Sequence, residues 1–328
     1  MTDRAVIAVD VGGTMIKSGV LGADSLLHVA VRPTGRERGV PAVLAEIADV
    51  IGEANAAAAG AGADVVAAAV AIPGLVDEAA GVVRWSVTFG WQDLPLAARL
   101  SDVPFPVGVR HDVRSAARAE ARAGAAAGAQ SALVVVIGTG IAATTLIHGD
   151  VVDGATARAG EVGQVAVADP DSGRSVTLEQ VSSARAVAER YQRRSGDTTA
   201  TAADVVALAT AGDAIAATVW TEAVDALADV LSAAVALADP EVVVLGGGIS
   251  RAGAALLDPL HAAIGQRLGW RPAPPLRTGR FADRAGLAGA ALAAADLARP
   301  ALGIDAVLDA LAAADLPDPE VQRTGITS

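Results

Sequence analysis

The sequence predicts an α/β protein of two domains, with ligands bound in the crevice where strands end. Three observations carry this. Apolar strand-like runs alternate with long Ala-rich helical stretches along the chain. A strand, Gly/Thr turn, strand pattern at Ala5–Gly19 returns at Ala132–His148, a weak internal duplication. A shift from strand-rich to helix-rich sequence follows Asp112, in a chain of 328 residues, a length that suits two domains or one large one.

In order, strand-like runs fall near Val6, Ile16, Val29, Val65–Ile72, Val82 and Val107, around one helix at Pro41–Ala59. Pro73-Gly74 marks a turn. Asp112 ends the strand Val107–Arg110 and precedes a helix at Val113–Ala126. The second half opens with the strand Ala132–Ile137, then Gly138-Thr139-Gly140, then a strand at Thr144–His148. Helical patterns follow at Thr177–Arg194 and Asp213–Ala238. The strand Glu241–Leu245 enters Gly246–Ser250 and a helix. The expected division is therefore a smaller N-terminal domain, 1–112, and a larger one, 113–284. A long helix, Ala285–Leu297, is expected to pack back on the first domain, and a tail, 299–328, holds one short helix and a frayed polar end.

Composition narrows the function classes. Apolar residues make up 52% of the chain, ample for a core, but aromatics only 2%, so closely packed Ala-lined helices are expected. A net charge of −12 argues against non-specific nucleic-acid binding. The longest apolar run, Ala132–Ile147, is broken by Gly138, Gly140 and several threonines and is no spanning helix. No charged start precedes an apolar signal core. A soluble, cytoplasmic protein without a membrane partner is the expectation. The absence of Cys excludes disulfides and Cys-based zinc.

The chemistry concentrates at glycines. Asp10-Val11-Gly12-Gly13-Thr14 joins two apolar strands. Glycines let a ligand approach the backbone, successive N–H groups form an anion site, and Asp10 could hold a metal or its waters beside a phosphate. Alone, the segment fits a plain hairpin turn as well as a phosphate clamp. Gly138-Thr139-Gly140 and Gly246-Gly247-Gly248 also follow apolar strands, and the three together favour a nucleotide site.

These residues resemble the ROK family of sugar kinases and sugar-responsive repressors. The resemblance rests on Asp10–Thr14, Ile72–Asp77, Gly90-Trp91, His111-Asp112, Gly138–Ile141, Ala159–Gly163 and Gly246–Gly248, and runs from about Ala5 to about Ala295. It implies a two-domain actin/hexokinase-like (ribonuclease H-like) ATPase fold with an interdomain cleft. It matches Gly12, Gly13 and Thr14 to a first phosphate loop, with Asp10 beside the metal-bound phosphates. Gly138, Thr139 and Gly140 match a second phosphate loop, and Gly246, Gly247 and Gly248 an adenosine loop. Asp112 matches the general base. Gly74, Glu161 and Glu179 match sugar-contacting positions. Asp112 also fits a helix N-cap, and both roles can hold at once. Glu179 fits a solvated helix-face carboxylate nearly as well as a sugar ligand.

The departures from the family cluster in the sugar and zinc region. His111 and Thr88 stand where the family usually has Asn, and Gln164 where it has a His that serves zinc and sugar. The family's Cys-rich zinc loop falls near Asp171–Val176, without Cys, so no structural zinc is expected. Gln164 can still hydrogen-bond a hydroxyl. Trp85, Trp91 and Trp220 read as core or interface anchors. Arg32, Arg36 and Arg38 read as a solvated cluster, and Arg110, Arg114, Arg118 and Arg122 as a helix face that meets solvent or pairs with Glu120.

The resemblance thus implies a kinase that uses ATP and Mg²⁺, the ion on Asp10 through water, to phosphorylate a sugar hydroxyl. The substrate is a hexose such as glucose, or an N-acetylhexosamine, held by Gly74, Thr88, His111, Asp112, Glu161, Gln164 and Glu179. ATP and polyphosphate both remain open as donors, and a homodimer is expected. The alternative is a non-catalytic, sugar- or nucleotide-binding regulatory protein. Nine residues precede Asp10, too few for the repressors' helix-turn-helix, so DNA binding is not expected.

Overall fold

The computed structural model describes residues 3–314, 316 and 317. The polar end of the tail, 318–328, lies outside the described residues. The chain forms two compact units, one holding the residues up to Ala119 together with those from Arg284 onward, the other Glu120–Asp283.

The first unit opens with β1 (Asp3–Val11), β2 (Met15–Gly22) and β3 (Leu26–Pro33), an antiparallel meander. α1 (Val40–Gly60) leads to β4 (Ala63–Ile72). A small antiparallel sheet follows, made of β5 (Leu75–Asp77), β6 (Val82–Ser86) and β7 (Trp91–Leu94). Then come α2 (Leu96–Arg99), β8 (Val107–His111) and α3 (Asp112–Ala123). α3 crosses the unit boundary, which falls two helix turns beyond the composition shift at Asp112. The main sheet has the order β3-β2-β1-β4-β8, with β1, β4 and β8 parallel.

The second unit holds β9 (Ser131–Ile137), β10 (Ile141–Ile147), β11 (Asp150–Val151), β12 (Ala166–Ala168) and β13 (Ser175–Thr177). The helices α4 (Glu179–Ser182), α5 (Ala184–Ser195), α6 (Ala202–Thr210) and α7 (Ala214–Ala238) follow. β14 (Val242–Gly246), α8 (Ala254–Leu268) and β15 (Leu276–Thr278) complete it. The chain then returns to the first unit with α9 (Ala285–Leu297) and α10 (Asp305–Ala313).

The long apolar run Ala132–Ile147 is the β9–β10 hairpin. The second main sheet, β11-β10-β9-β14-β15, repeats the first: three antiparallel strands, then two parallel to β9 and to each other. The duplication read in the sequence is therefore a duplication of topology. The helical stretch Thr177–Arg194 is broken at Ser183, whose hydroxyl caps α5 by accepting the Ala186 N–H at 3.1 Å. No single helix among the described residues is long and apolar enough to cross a membrane, and α7 lies in the core of its unit.

Both faces of the first main sheet are covered, which is why its parallel strands read as continuous apolar runs. α1 presents Val43, Ile47, Val50, Ile51, Ala54 and Ala58 at helical spacing to a core with Ile7, Val9 and Val70. α9 takes the other face. The registers put Gly19, Ala8, Ala69 and Gly108 in one row across four strands. Leu287 lies over Gly19 and Leu297 over Gly108. Ten residues of helix span about 15 Å, and four strands span about 14 Å, so α9 lies along this row. The small side chains let an Ala-rich helix come close.

Candidate functional site

In the first unit, Asp10, Gly74, His111 and Asp112 collect at the carboxyl ends of three neighbouring parallel strands. Asp10 pairs across with Ala71, Ala71 with Arg110, and Ile72 with His111. Asp112 begins α3 directly after β8. Asp10 and Arg110 are two strands apart, about 10 Å between Cα atoms, so Asp10 and Asp112 stand on strand ends to either side of the end of β4. Strand ends of this kind are where open α/β sheets bind ligands.

The β1–β2 hairpin is held from behind. Gly12 donates its N–H to the Met15 carbonyl at 2.9 Å. Thr34, fully buried, donates its N–H to the Thr14 carbonyl at 2.8 Å and its hydroxyl to the Gly12 carbonyl at 2.7 Å. The amides of Gly13 and Thr14 have no partner among the described residues. Carbonyls are thus tied down and N–H groups left over, the pattern of an anion site. A Cβ on Gly13 would stand 3.0 Å from the Thr88 methyl, so the β6–β7 loop rests on the hairpin. A Cβ on Gly286, in the first turn of α9, would stand 2.7 Å from the Asp10 carboxyl carbon. Glycine there lets the carboxylate lie against the positive end of the helix.

His111 is buried and does two things at the β8–α3 junction. Its Nδ1 accepts the Arg114 N–H at 3.3 Å, a helix N-cap made by an imidazole. Its own N–H donates to Glu78 Oε1 at 3.1 Å. The capping bond requires a bare Nδ1, which leaves the proton on Nε2. Asp112, with its side chain 30% exposed, accepts the Val113 N–H at 2.8 Å through Oδ1. Glu78 also accepts from Arg118 at 3.1 Å, with Arg110 at 3.7 Å and Arg114 at 3.8 Å. For Arg110, Arg114 and Arg118 this corrects the expectation that the arginine row meets solvent or pairs with Glu120, whereas Arg122 is exposed as expected. Glu120 is buried and accepts the backbone N–H groups of Ala125, Arg280 and Phe281 instead. The geometric reason is that Glu78, on the loop after β5, overhangs the start of α3. Gly74, at φ 129°, lies against the Trp85 carbonyl, and Ser86 donates its hydroxyl to the Pro73 carbonyl at 2.8 Å.

In the second unit, Gly138–Gly140 closes the β9–β10 hairpin, with Gly138 N–H on the Gly140 carbonyl at 2.9 Å. Gly247, at φ 80°, lies against the Ile137 carbonyl, which brings Gly246–Gly248 beside this hairpin. Glu179 bonds to the same hairpin: its Oε2 accepts the Ile141 N–H at 3.0 Å, and a Cβ on Gly140 would stand 2.6 Å away. The loop Ala159–Gln164 packs on β10, with the Ala143 N–H on the Gly160 carbonyl at 2.8 Å. Glu161 and Gln164 are exposed.

Where the family's zinc loop falls, the turn Asp169–Arg174 between β12 and β13 is held by charge. Asp171 accepts from Arg194 Nε at 2.9 Å, with Arg193 at 3.6 Å and Arg190 at 3.8 Å. Arg190, fully buried, also pairs with Glu222, and Arg194 reaches Glu222 at 2.9 Å. Burial pushes the Asp171 carboxyl up, but the Arg194 hydrogen bond and the Arg194 and Arg190 charges outweigh it, leaving it below the usual range. No group of three or more His, Cys, Asp or Glu among the described residues could hold a metal ion. Trp91 and Trp220 are core residues, whereas Trp85 is exposed. Glu78 and Gly286 were missed by sequence reasoning; Gly286, inside an Ala-rich helix, was a signal for close approach.

The sequence profile of the ROK family matches residues 6–296. A glucokinase of Halalkalibacterium halodurans is 32% identical over 284 residues, covering 79% of this chain and 85% of its own length. The crystal structure of a ROK hexokinase from Thermus thermophilus superposes with a TM-score of 0.73 at 32% identity, over 89% of this chain and 98% of its own. A ROK family glucokinase from Streptomyces griseus, in complex with glucose and AMPPNP, superposes with a TM-score of 0.76 at 27% identity, over 90% and 99%.

Proposed function

The chain belongs to the ROK family and has its actin/hexokinase-type fold, and on that premise we propose that it phosphorylates a sugar hydroxyl from ATP with Asp112 as general base. The observation that carries this is the pairing, at one end of the sheet, of a hairpin with two amides unpartnered among the described residues and a carboxylate, 30% exposed, that follows the strand two away. The hairpin Gly12–Thr14 receives phosphate oxygens, and Asp112 takes the proton of the attacking hydroxyl. Gly138–Gly140 receives a second phosphate and Gly246–Gly248 the adenosine.

Mg²⁺ fits a site with one protein carboxylate, because it is commonly held by one or two carboxylates plus substrate phosphates and waters. Asp10 would hold it, and the ion would neutralise phosphate charge. Asp10 itself is kept in place by Gly286 and the first turn of α9.

A hexose such as glucose is the proposed acceptor, since the relatives named glucokinase and hexokinase match 79% and 89% of the chain. His111 shapes that preference. With Nδ1 committed to the helix, only Nε2–H can meet a hydroxyl, so His111 donates where an Asn could donate and accept. Gln164 and Glu161 are open to supply acceptors.

The test is ADP release, coupled to an indicator reaction, over hexoses, N-acetylhexosamines and polyols, with ATP and with polyphosphate. Turnover with a hexose is expected. Asp112→Asn should lose about 10³-fold in kcat while still binding AMPPNP. No turnover with any acceptor from a folded chain, or full activity in Asp112→Asn, overturns the assignment.

A further inference from the structure

We infer that Arg36 is a ligand of the donor's terminal phosphate and stabilises the transferring group, an inference that rests on the kinase reading above. In sequence, Arg32, Arg36 and Arg38 form one basic cluster. The structure separates them. Arg32 bonds to Glu46 at 3.1 Å and to Glu53, and Arg38 bonds to Glu46 at 2.8 Å. The Arg36 guanidinium has no hydrogen bond or ion pair among the described residues. Its two neighbours are held by Glu46 and Glu53, and Glu37, in the same turn, makes no ion pair with Arg36.

Arg36 instead reaches over the hairpin. Its Nη1 lies 3.7 Å from where a Cβ of Gly13 would stand. The route there is built into the chain. Thr34 pins the hairpin through two hydrogen bonds, Gly35 turns at φ 65°, and Arg36 opens the short 3-10 turn that follows. The segment that locks the hairpin therefore also delivers the cation. An unpaired guanidinium beside two unpartnered amides is a lining for a tetrahedral oxyanion, because each N–H can take one phosphate oxygen. A neutral sugar would leave the positive charge unanswered.

In the transfer, the bond from the sugar oxygen to phosphorus forms as the bond from phosphorus to the bridging oxygen breaks. The sugar's proton goes to Asp112, the bridging electron pair leaves with ADP, and Arg36 stays protonated throughout. Charge spread over the phosphoryl oxygens in that step is what Arg36 meets.

The experiment compares the full chain with Arg36→Gln, Arg36→Lys and Arg38→Gln. Calorimetry with Mg·AMPPNP and with Mg·ADP reads the contact without turnover. Arg36→Gln should weaken AMPPNP about 10-fold and ADP less than about twofold, and lower kcat about 100-fold with the sugar KM unchanged. Arg36→Lys should recover part of both, having charge but no fork. Arg38→Gln should match the unaltered chain, which separates a local contact from general surface charge. An Arg36→Gln variant with the unaltered AMPPNP-to-ADP ratio and kcat overturns the assignment. Loss of AMPPNP affinity in Arg36→Gln, in a chain that transfers to no sugar, overturns the kinase reading and retains the phosphate ligand. No AMPPNP binding by the unaltered chain overturns both.

Discussion

The two main sheets share one topology, and each ends its first hairpin in a Gly/Thr turn, yet the turns differ in what surrounds them. The first has a carboxylate just before it: Asp10 precedes Val11, the last residue paired across to β2. The same place before the second turn is Val136, an aliphatic residue preceding Ile137. The first turn is braced by a threonine that consumes carbonyls. The second is braced by a carboxylate, Glu179, that consumes an amide. The first unit also owns Asp112. A duplicated frame has thus been loaded unequally, with the carboxylates of the proposed reaction on one copy and the second turn held by an internal acid. Substitutions in the first unit should act on kcat, with Arg36 acting on AMPPNP binding as well, and those in the second on nucleotide binding and stability.

Asp112→Asn is the largest expected break, on kcat alone, as set out above. Gly286→Ala comes next. Its new methyl would press on the Asp10 carboxylate, and displacement by a fraction of an ångström should cost about 10–100-fold in kcat. An unchanged kcat in that variant would mean that the bracing of Asp10 does not matter. Glu179→Ala leaves the Ile141 N–H without its acceptor and should cost about 1–3 kcal/mol of stability. AMPPNP should weaken while the sugar KM stays; a rise confined to the sugar KM would return Glu179 to the sugar role that the family resemblance implies. The smallest effect is expected of Asp171→Asn. The Asp171 carboxyl is depressed in the fold, so its contribution is present above the ordinary carboxylate value, near 4, and fades as pH falls through its lower native value. The variant should melt a few degrees lower at pH 7, and the difference should shrink as pH falls below the ordinary carboxylate value.

Much of this was legible in the sequence because the signals were local. Asp10–Thr14, the β9–β10 pattern and the Gly246 turn each announce themselves over a few residues. So did the Ala285–Leu297 helix. What escaped was long-range or short. The three-residue strands β12, β13 and β15 offer no periodicity to read. α6 was missed although Thr201 and Asp204 form a capping box, a readable sign. Glu78 lies far along the chain from the helix it braces, and a lone Glu after a turn carries no pattern. The imidazole cap of His111 was equally hidden, because His at an N-cap is uncommon and its second nitrogen finds its use only in three dimensions.

The order in which the chain is made gives the Gly286–Asp10 approach another meaning. The first unit is discontinuous: its strands precede Asp112, and α9 emerges only after the whole of Glu120–Asp283. Until then the row Gly19, Ala8, Ala69 and Gly108 has no helix to cover it, and an uncovered apolar face invites misassociation. Asp10 acquires its neighbouring helix end at the same late moment. A chain released early from the ribosome would therefore carry a complete β1–β2 turn whose acid is unbraced, and under the proposed function competence would arrive only with the last long helix.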